Sequence, residues 1–152
     1  MTTVVQRLQD AMNAHDARRL ASLCAADYRS VQPLHPSWGF GGSAQVFENW
    51  SSVFAGVPDF SAELVASAQD KAQDKARDKA QDDEVEWAEW HWRGHHVDGS
   101  PFAMRGTTIF VVRDGLIVEG RLYMEPVEPV TAQAGDIATA VQELYQPPSA
   151  PV

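Results

Sequence analysis

The stretch WAEWHWR, residues 87–93, places ionisable side chains at alternate positions. Alternate residues of a β-strand share one face, so Glu89 and His91 lie side by side if this stretch is a strand. A histidine changes charge near neutral pH, and a neighbouring carboxylate orients its ring and stabilises its protonated form. Such a pair can remove a proton next to a carbonyl group or activate a water molecule.

The same alternation places Trp90 and Trp92 on the opposite face of this strand. Strands with apolar residues buried and charged residues in water are common in sheets that have one solvated face. Glu89 and His91 are therefore catalytic only if their face lines a cavity. The sequence is compatible with both orientations.

Other reaction types find no support in the residue spacing. His95, His96 and Asp98 share a turn, but adjacent strand residues diverge to opposite faces and no second ligand pair lies at helical spacing. The GFGG stretch at 39–42 lacks the strand, helix and Lys-Ser/Thr of a phosphate-binding loop. No Ser-His-Asp or Cys-His arrangement is suggested either. We expect neither a metal nor a cofactor.

The composition narrows the class of partner. The chain has 152 residues and a net charge of −9, which argues against nucleic acid because nucleic-acid-binding proteins present basic surfaces. No apolar run of about 18 residues predicts a membrane span, and the first residues lack the features of a signal peptide. The single cysteine, Cys24, fits a reducing cytoplasm, where we expect the protein. A small molecule or another protein is the expected partner.

The periodicity of apolar residues predicts an α+β domain. Three N-terminal helices are expected, and the second carries Leu20, Leu23 and Cys24 on its buried side. After Phe60 the pattern alternates and predicts four strands, the last two joined by a tight hairpin at 113–115. Helices that cover one face of a curved sheet can leave a pocket between the two layers.

We place one domain at residues 1–126 and a Pro-rich linker with a short helix at residues 127–152. Residues 68–83 are a tandem repeat of Ala, Gln, Asp and Lys whose four-residue period builds no steady apolar stripe. We expect this insertion to be a solvated helix or a disordered loop between two strands. The last helix aligns Ile137, Val141 and Leu144 and is expected to dock on the body or on a partner.

The order of elements, together with several motifs, resembles the SnoaL-like branch of the NTF2-like superfamily. The motifs are HP at 35–36, GG at 41–42, VPDF at 57–60, WHWRGHHVDG at 90–99 and RGTTIFVVRDGLIV at 105–118. The resemblance covers residues 3–126. It implies a cone-shaped α+β barrel, with helices on a strongly curved mixed or antiparallel sheet, a deep apolar pocket and a homodimer.

The resemblance also implies that the last strand turns Gly120, Leu122 and Met124 toward the pocket. Polyketide cyclases and epoxide hydrolases of this kind place a catalytic aspartate where this chain has Leu122, and a leucine cannot move a proton. The opposite face of the strand is expected outside and carries Ile117, Glu119, Arg121, Tyr123 and Glu125. The expected pocket wall comprises Trp38, Trp50, Val53, Met104, Thr108, Phe110, Leu122 and Met124.

Two residues of the first strand region are further candidates. By the resemblance, His35 ends this strand at the pocket mouth beside Trp38, although a histidine between two prolines can simply cap a loop. Arg29 could point inward and bind a carboxylate or phenolate, with Tyr28 on the other face.

Two hypotheses for the function follow. The first is a cofactor-free enzyme that cyclises, isomerises, dehydrates or opens an epoxide in a hydrophobic, aromatic or polyketide-like substrate. His91 would be its general base or acid, Glu89 would orient His91, and Arg29 or His35 would stabilise enolate charge. The second is a non-catalytic binding or dimerisation module, which Leu122 in place of the acid favours.

Overall fold

The computed structural model describes residues 2–71, 83–129 and 136–147. No helix in these ranges is both long and apolar enough to cross a membrane. The elements, in chain order, are α1 Val4–Asn13, α2 Ala17–Ser22, β1 Cys24–Val31, a 3-10 turn Pro36–Trp38, β2 Phe40–Gly41, α3 Ser43–Gly56, β3 Ser61–Lys71, β4 Glu84–His95, β5 Pro101–Arg113, β6 Leu116–Pro126 and α4 Asp136–Tyr145.

The six strands form one mixed sheet in the order β2-β1-β6-β5-β4-β3. β1 runs parallel to β6, whereas the other neighbouring pairs are antiparallel. The predicted α+β class and mixed sheet are confirmed. The closed barrel is not, because β2 and β3 are the free edges of an open sheet within the described ranges.

The three predicted N-terminal helices are present, and side-chain caps define the starts of α1 and α2, whereas α3 starts after Gly42 without a side-chain cap. Thr3 and Gln6 form a capping box at the start of α1, and the Asp16 side chain accepts a hydrogen bond from the Arg19 backbone N–H at 2.9 Å in α2. One placement was wrong. α2 ends at Ser22, so Cys24 begins β1 rather than lying on a helical stripe.

The core lies between the helices and the inner face of the sheet. Val5, Leu8 and Leu20 from the helices pack there with Trp90 and Ile117 from the strands, and all five are almost fully buried. Burial of side chains of this size contributes about 1.5–3 kcal/mol each, which makes this layer the main source of stability.

Glu86 ties α1 to the sheet. Its side chain is 1% exposed and accepts hydrogen bonds from the backbone N–H groups of Val4, at 3.3 Å, and Val5, at 3.0 Å. These two N–H groups belong to the first turn of α1, where no intrahelical acceptor exists and where the helix dipole favours negative charge. Glu86 therefore fixes the start of α1 against β4.

The described ends of the repeat at residues 68–83 are not helical. Residues 68–71 continue β3 and pair with β4, where Ala68 lies opposite Trp87 and Lys71 opposite Glu84. Asp83 is 5% exposed and accepts two hydrogen bonds from Arg113, at 2.8 and 2.9 Å. The rest of the predicted helix or loop, residues 72–82, lies outside the described residues.

The predicted C-terminal helix is present as α4, but its apolar residues are exposed. Ile137 is 72% exposed and Leu144 is 77% exposed, so α4 does not bury them against the domain. The part of the linker at residues 130–135 lies outside the described residues.

Replacement of Glu86 by Gln tests its role as a cap. The amide keeps the shape but replaces one carboxylate oxygen with an NH₂ group, which faces a backbone N–H. We expect a loss of about 2 kcal/mol in the free energy of unfolding, measured by urea denaturation. The matched change Glu84→Gln, at an exposed position of the same strand, should stay within about 0.5 kcal/mol of the parent. Equal effects of the two changes would contradict the capping role.

Candidate functional site

An internal cavity of about 210 Å³ lies between the helices and the inner face of the sheet. All three N-terminal helices contribute to its wall, together with β1, β4, β5 and β6. The lining residues are Leu8, Met12, Leu20, Cys24, Tyr28, Ser30, Gln32, Phe40, Val46, Asn49, Trp50, Val53, Trp90, Trp92, Thr108, Phe110, Ile117 and Leu122.

Tryptophans form one wall of the cavity. Trp90 and Trp92 of β4 are 0% and 8% exposed, and the Trp90 Nε1 donates a hydrogen bond to the Thr108 hydroxyl at 2.9 Å. Trp50 of α3 meets Trp92 edge to face, with ring centroids 5.4 Å apart at 73°. The Nε1 of Trp92 is buried without a hydrogen-bond partner.

A polar strip from β1 forms another part of the wall. Tyr28, Ser30 and Gln32 alternate along the chain and all line the cavity. Tyr28 is 5% exposed, and burial raises the pKa of its phenol well above its usual value, although the nearby Ser30 hydroxyl partly offsets this effect. The phenol therefore stays protonated at neutral pH and acts as a neutral polar group.

Cys24 also lines the cavity and remains a thiol. Burial raises its pKa to about 12. Because the thiolate is the nucleophilic form, this cysteine is unreactive near neutral pH. The described part of the chain contains no cluster of three or more His, Cys, Asp or Glu side chains that could hold a metal ion.

β6 turns its apolar side toward the helices, as the sequence analysis expected. Leu122 lines the cavity, Met124 is buried, and a methyl group at Gly120 would overlap the Tyr28 hydroxyl. The expectation for Ile117 was wrong. The pairing register shifts between Val111 and Val112, and Ile117 lies in the cavity wall, 1% exposed.

The predicted pair of Glu89 and His91 does not face the cavity. Alternation along β4 sends both side chains to the outer face because Trp90 and Trp92 occupy the inner one. On the outer face the His91 Nδ1 lies 3.8 Å from a Glu63 carboxylate oxygen. Neither residue can reach a molecule bound in the cavity.

Arg29 and His35 also lie outside the cavity lining. Arg29 is exposed and lies opposite Glu119 in the register of β1 and β6, since the inward positions of β1 belong to Tyr28 and Ser30. His35 stacks on Trp38 with ring centroids 3.8 Å apart, and its Nε2 lies 2.7 Å from a Glu125 carboxylate oxygen. The structure thus separates the four predicted catalytic residues from the cavity.

The cavity wall contains part of the predicted set of pocket residues. Trp50, Val53, Thr108, Phe110 and Leu122 line the cavity. Three other predicted residues do not line it: Trp38 is 55% exposed, Met124 belongs to the packed core, and Met104 lines a separate surface hollow beside Phe102.

The polar residues of the cavity wall were not predicted from the sequence. Arg29 was expected to be able to point inward from β1, although the alternating residues Tyr28, Ser30 and Gln32 include no charged residue and indicated the opposite orientation. Asn49 of α3 lies one position before Trp50, and no sequence pattern indicated that it would line the cavity.

The raised thiol pKa predicts a loss of stability at alkaline pH. The thiol ionises near its usual pKa of 9.0 in the unfolded chain but only near 12 in the folded one. The contribution of the Cys24 thiol to the free energy of unfolding is complete below pH 9. It is lost as the pH rises from 9 to 12, by at most about 1.4 kcal/mol per pH unit. Urea denaturation of Cys24→Ala should show a shallower decline between pH 9 and 10 than the parent. Equal slopes would contradict the raised pKa.

The model of the SnoaL-like domain matches residues 5–120. No curated protein matches the chain in sequence. An NTF2-like protein of unknown function from Exiguobacterium sp. 255-15 superimposes with a TM-score of 0.62, at 20% identity, over 84% of this chain and 100% of that one.

A protein of ketosteroid isomerase-like fold from Catenulispora acidiphila, solved in complex with trimethylamine, gives a TM-score of 0.62 at 18% identity. The match covers 85% of this chain and 88% of that one. At such identities these structures show the fold alone. The family model spans most of the chain, so the protein belongs to the family of SnoaL-like domains within the NTF2-like fold.

Proposed function

We propose that this protein binds an uncharged, largely apolar ring compound in its cavity and that the cavity itself does not transfer protons. The composition of the wall carries this proposal, because none of its 18 described lining residues is Asp, Glu, His, Lys or Arg. This outcome favours the second hypothesis from the sequence, a ligand-binding module.

The lack of charge in the wall determines which ligands are suitable. An ionised ligand would lose its hydration on entry and would find no opposite charge among the described lining residues, which is unfavourable. Cys24 and Tyr28 line the cavity, but both have pKa values raised by burial and keep their protons near neutral pH. An uncharged molecule does not meet this penalty.

The size of the cavity suits a ligand with a single ring or with two fused rings. An engineered protein cavity of about 150 Å³ binds benzene, and the cavity here measures about 210 Å³. Trp50, Trp90 and Trp92 offer ring edges and faces against which an aromatic ligand can pack.

Binding of 1-indanone, an uncharged two-ring ketone, tests the proposal. We expect it to change the tryptophan fluorescence saturably in the parent protein. Leu122→Trp, which fills the cavity from β6, should weaken binding at least about tenfold. Leu116→Trp, at an exposed position of the same strand, should leave binding unchanged.

Val53→Phe provides a second way to fill the cavity, from α3, if Leu122→Trp does not fold. Circular dichroism identifies the folded variants. Unchanged affinity in a folded cavity-filling variant would place the ligand elsewhere. No saturable binding of 1-indanone or of the related hydrocarbon indane by the parent would refute the proposed function.

Proton transfer is a second candidate function, and one observation favours it. His35 and Glu125 form a hydrogen-bonded pair, 2.7 Å apart, in which both side chains are partly exposed. The pair lies outside the cavity lining, so its substrate would bind at the surface beside Trp38. The chemistry would be removal of a proton next to a carbonyl group.

Deuterium exchange separates the two candidate functions. If the protein only binds its ligand, 1-indanone should exchange the protons next to its carbonyl in D₂O no faster than in buffer. Mass spectrometry follows this exchange. Acceleration by the parent protein that disappears in His35→Ala but persists in His91→Ala would instead support proton transfer by His35 and Glu125.

The homodimer implied by the resemblance stays a prediction. The outer face of the sheet has exposed apolar side chains at Val65 and Trp87, which are 43% and 45% exposed, and this face is where we expect two copies to meet. Sedimentation equilibrium of the parent and of Trp87→Glu tests this expectation.

A further inference from the structure

The hydrogen-bonding groups of the cavity divide into two sets according to how far they are buried. In the buried set, Trp90 donates to Thr108 at 2.9 Å, and the Ser30 hydroxyl lies close enough to the Tyr28 phenol to lower the pKa of that phenol. The Trp92 Nε1 has no partner, but neighbouring atoms cover it completely, so a ligand does not reach it. The buried end therefore offers mainly apolar contact.

The second set consists of two half-buried amides, Gln32 and Asn49. The Asn49 Oδ1 accepts a hydrogen bond from the Gln45 Nε2 at 2.7 Å, which leaves the NH₂ group of Asn49 as a donor. The Gln32 amide makes no hydrogen bond within the described ranges, so it keeps both a donor and an acceptor. These two neutral amides together offer donors and an acceptor to a ligand in the cavity.

Gln32 also marks a boundary between the cavity and the outside. A surface hollow of about 600 Å³ lies against β1, β2 and the 3-10 turn, and it shares Ser30, Gln32 and Phe40 with the cavity wall. A ligand that enters from this hollow would pass these three shared residues, of which Gln32 has a half-buried amide. Its apolar part continues toward the tryptophans.

From these observations we infer that the ligand carries one uncharged hydrogen-bonding group, a carbonyl or hydroxyl. Gln32 and Asn49 bind this group at the half-buried end of the cavity while the rings lie against the tryptophan wall. The inference rests on the proposed function and specifies the class of ligand, an uncharged ring ketone or alcohol. A plain hydrocarbon would displace water from these amides without replacing the hydrogen bonds of that water, which disfavours its binding.

Arg29 does not change this conclusion about charge. It lines the outer hollow, but its side chain lies on the outer face of the sheet in register with Glu119 of β6. Among the described residues that line the cavity itself, an anionic substituent would therefore meet only uncharged side chains. A carboxylate in place of the carbonyl should weaken binding.

A matched set of probes tests the inference: indane, 1-indanone, 1-indanol and indane-1-carboxylate. We expect the parent to bind the ketone or the alcohol about fivefold to tenfold more tightly than indane, and to bind the carboxylate more weakly than either. Gln32→Leu, Asn49→Leu and the double variant should progressively remove this preference while indane binds equally well or better. Gln69→Leu, the same substitution at an exposed position of β3, should retain the full preference.

The possible failures can be distinguished. If no probe binds the parent, the proposed function and the inference both fail. If indane binds as tightly as the ketone and the alcohol, the cavity binds ligands as proposed but the inference about Gln32 and Asn49 is wrong. Tighter binding of the carboxylate, or a full preference for the ketone in the double variant, would also overturn the inference.

Discussion

The burial of two tryptophans on one face of β4 is the constraint on which the site depends. Trp90 and Trp92 together remove several hundred square ångströms of apolar surface from water, which is worth several kcal/mol. The opposite orientation would expose both indoles and bury Glu89 and His91, whose polar groups would then need partners inside the protein. Alternation along one strand thus decides at once that the cavity is aromatic and that the ionisable pair is in solvent.

The polar groups that do enter the layer between helices and sheet mostly serve the fold. Glu86 lies on the same face as the tryptophans, and the first turn of α1 supplies its hydrogen-bond donors. Thr108 accepts a hydrogen bond from Trp90. Groups paired in this way have little capacity left for a ligand. The proposed recognition therefore depends on two half-buried amides, Gln32, which makes no hydrogen bond within the described ranges, and Asn49, whose NH₂ group remains available as a donor.

The order of the elements and the inward side of β6 could be predicted because both depend on local periodicity. The choice of face on β4 could not, since periodicity places Glu89 with His91 and Trp90 with Trp92 but does not say which pair is buried. Periodicity alone leaves this choice open, whereas a comparison of the free energies of burying each pair would have favoured burial of the tryptophans. The inward position of Ile117 depends on a register shift that only strand pairing defines, and alternation along the chain cannot reveal it.

Contacts between distant parts of the chain could not be predicted from local sequence patterns either. Glu125 lies 90 residues after His35, and Glu86 lies 82 residues after Val4. From residue type alone, both carboxylates would be expected at the protein surface. Their actual partners are set by the sheet order, which brings the region after β1 close to β6 and places β4 beneath α1.

Leu122 links the uncharged character of the described cavity wall to the character of the proposed ligand. Leu122 lies opposite Thr108 in the register of β5 and β6 and completes an apolar surface beneath the helices. A carboxylate there would have to be desolvated or neutralised, and its charge would change with pH. With leucine, the ionisable lining groups described are Cys24 and Tyr28, and both remain neutral until strongly alkaline pH. Selection against charged ligands then follows from desolvation alone, and the affinity for neutral ligands should stay constant until the fold itself loses stability above pH 9.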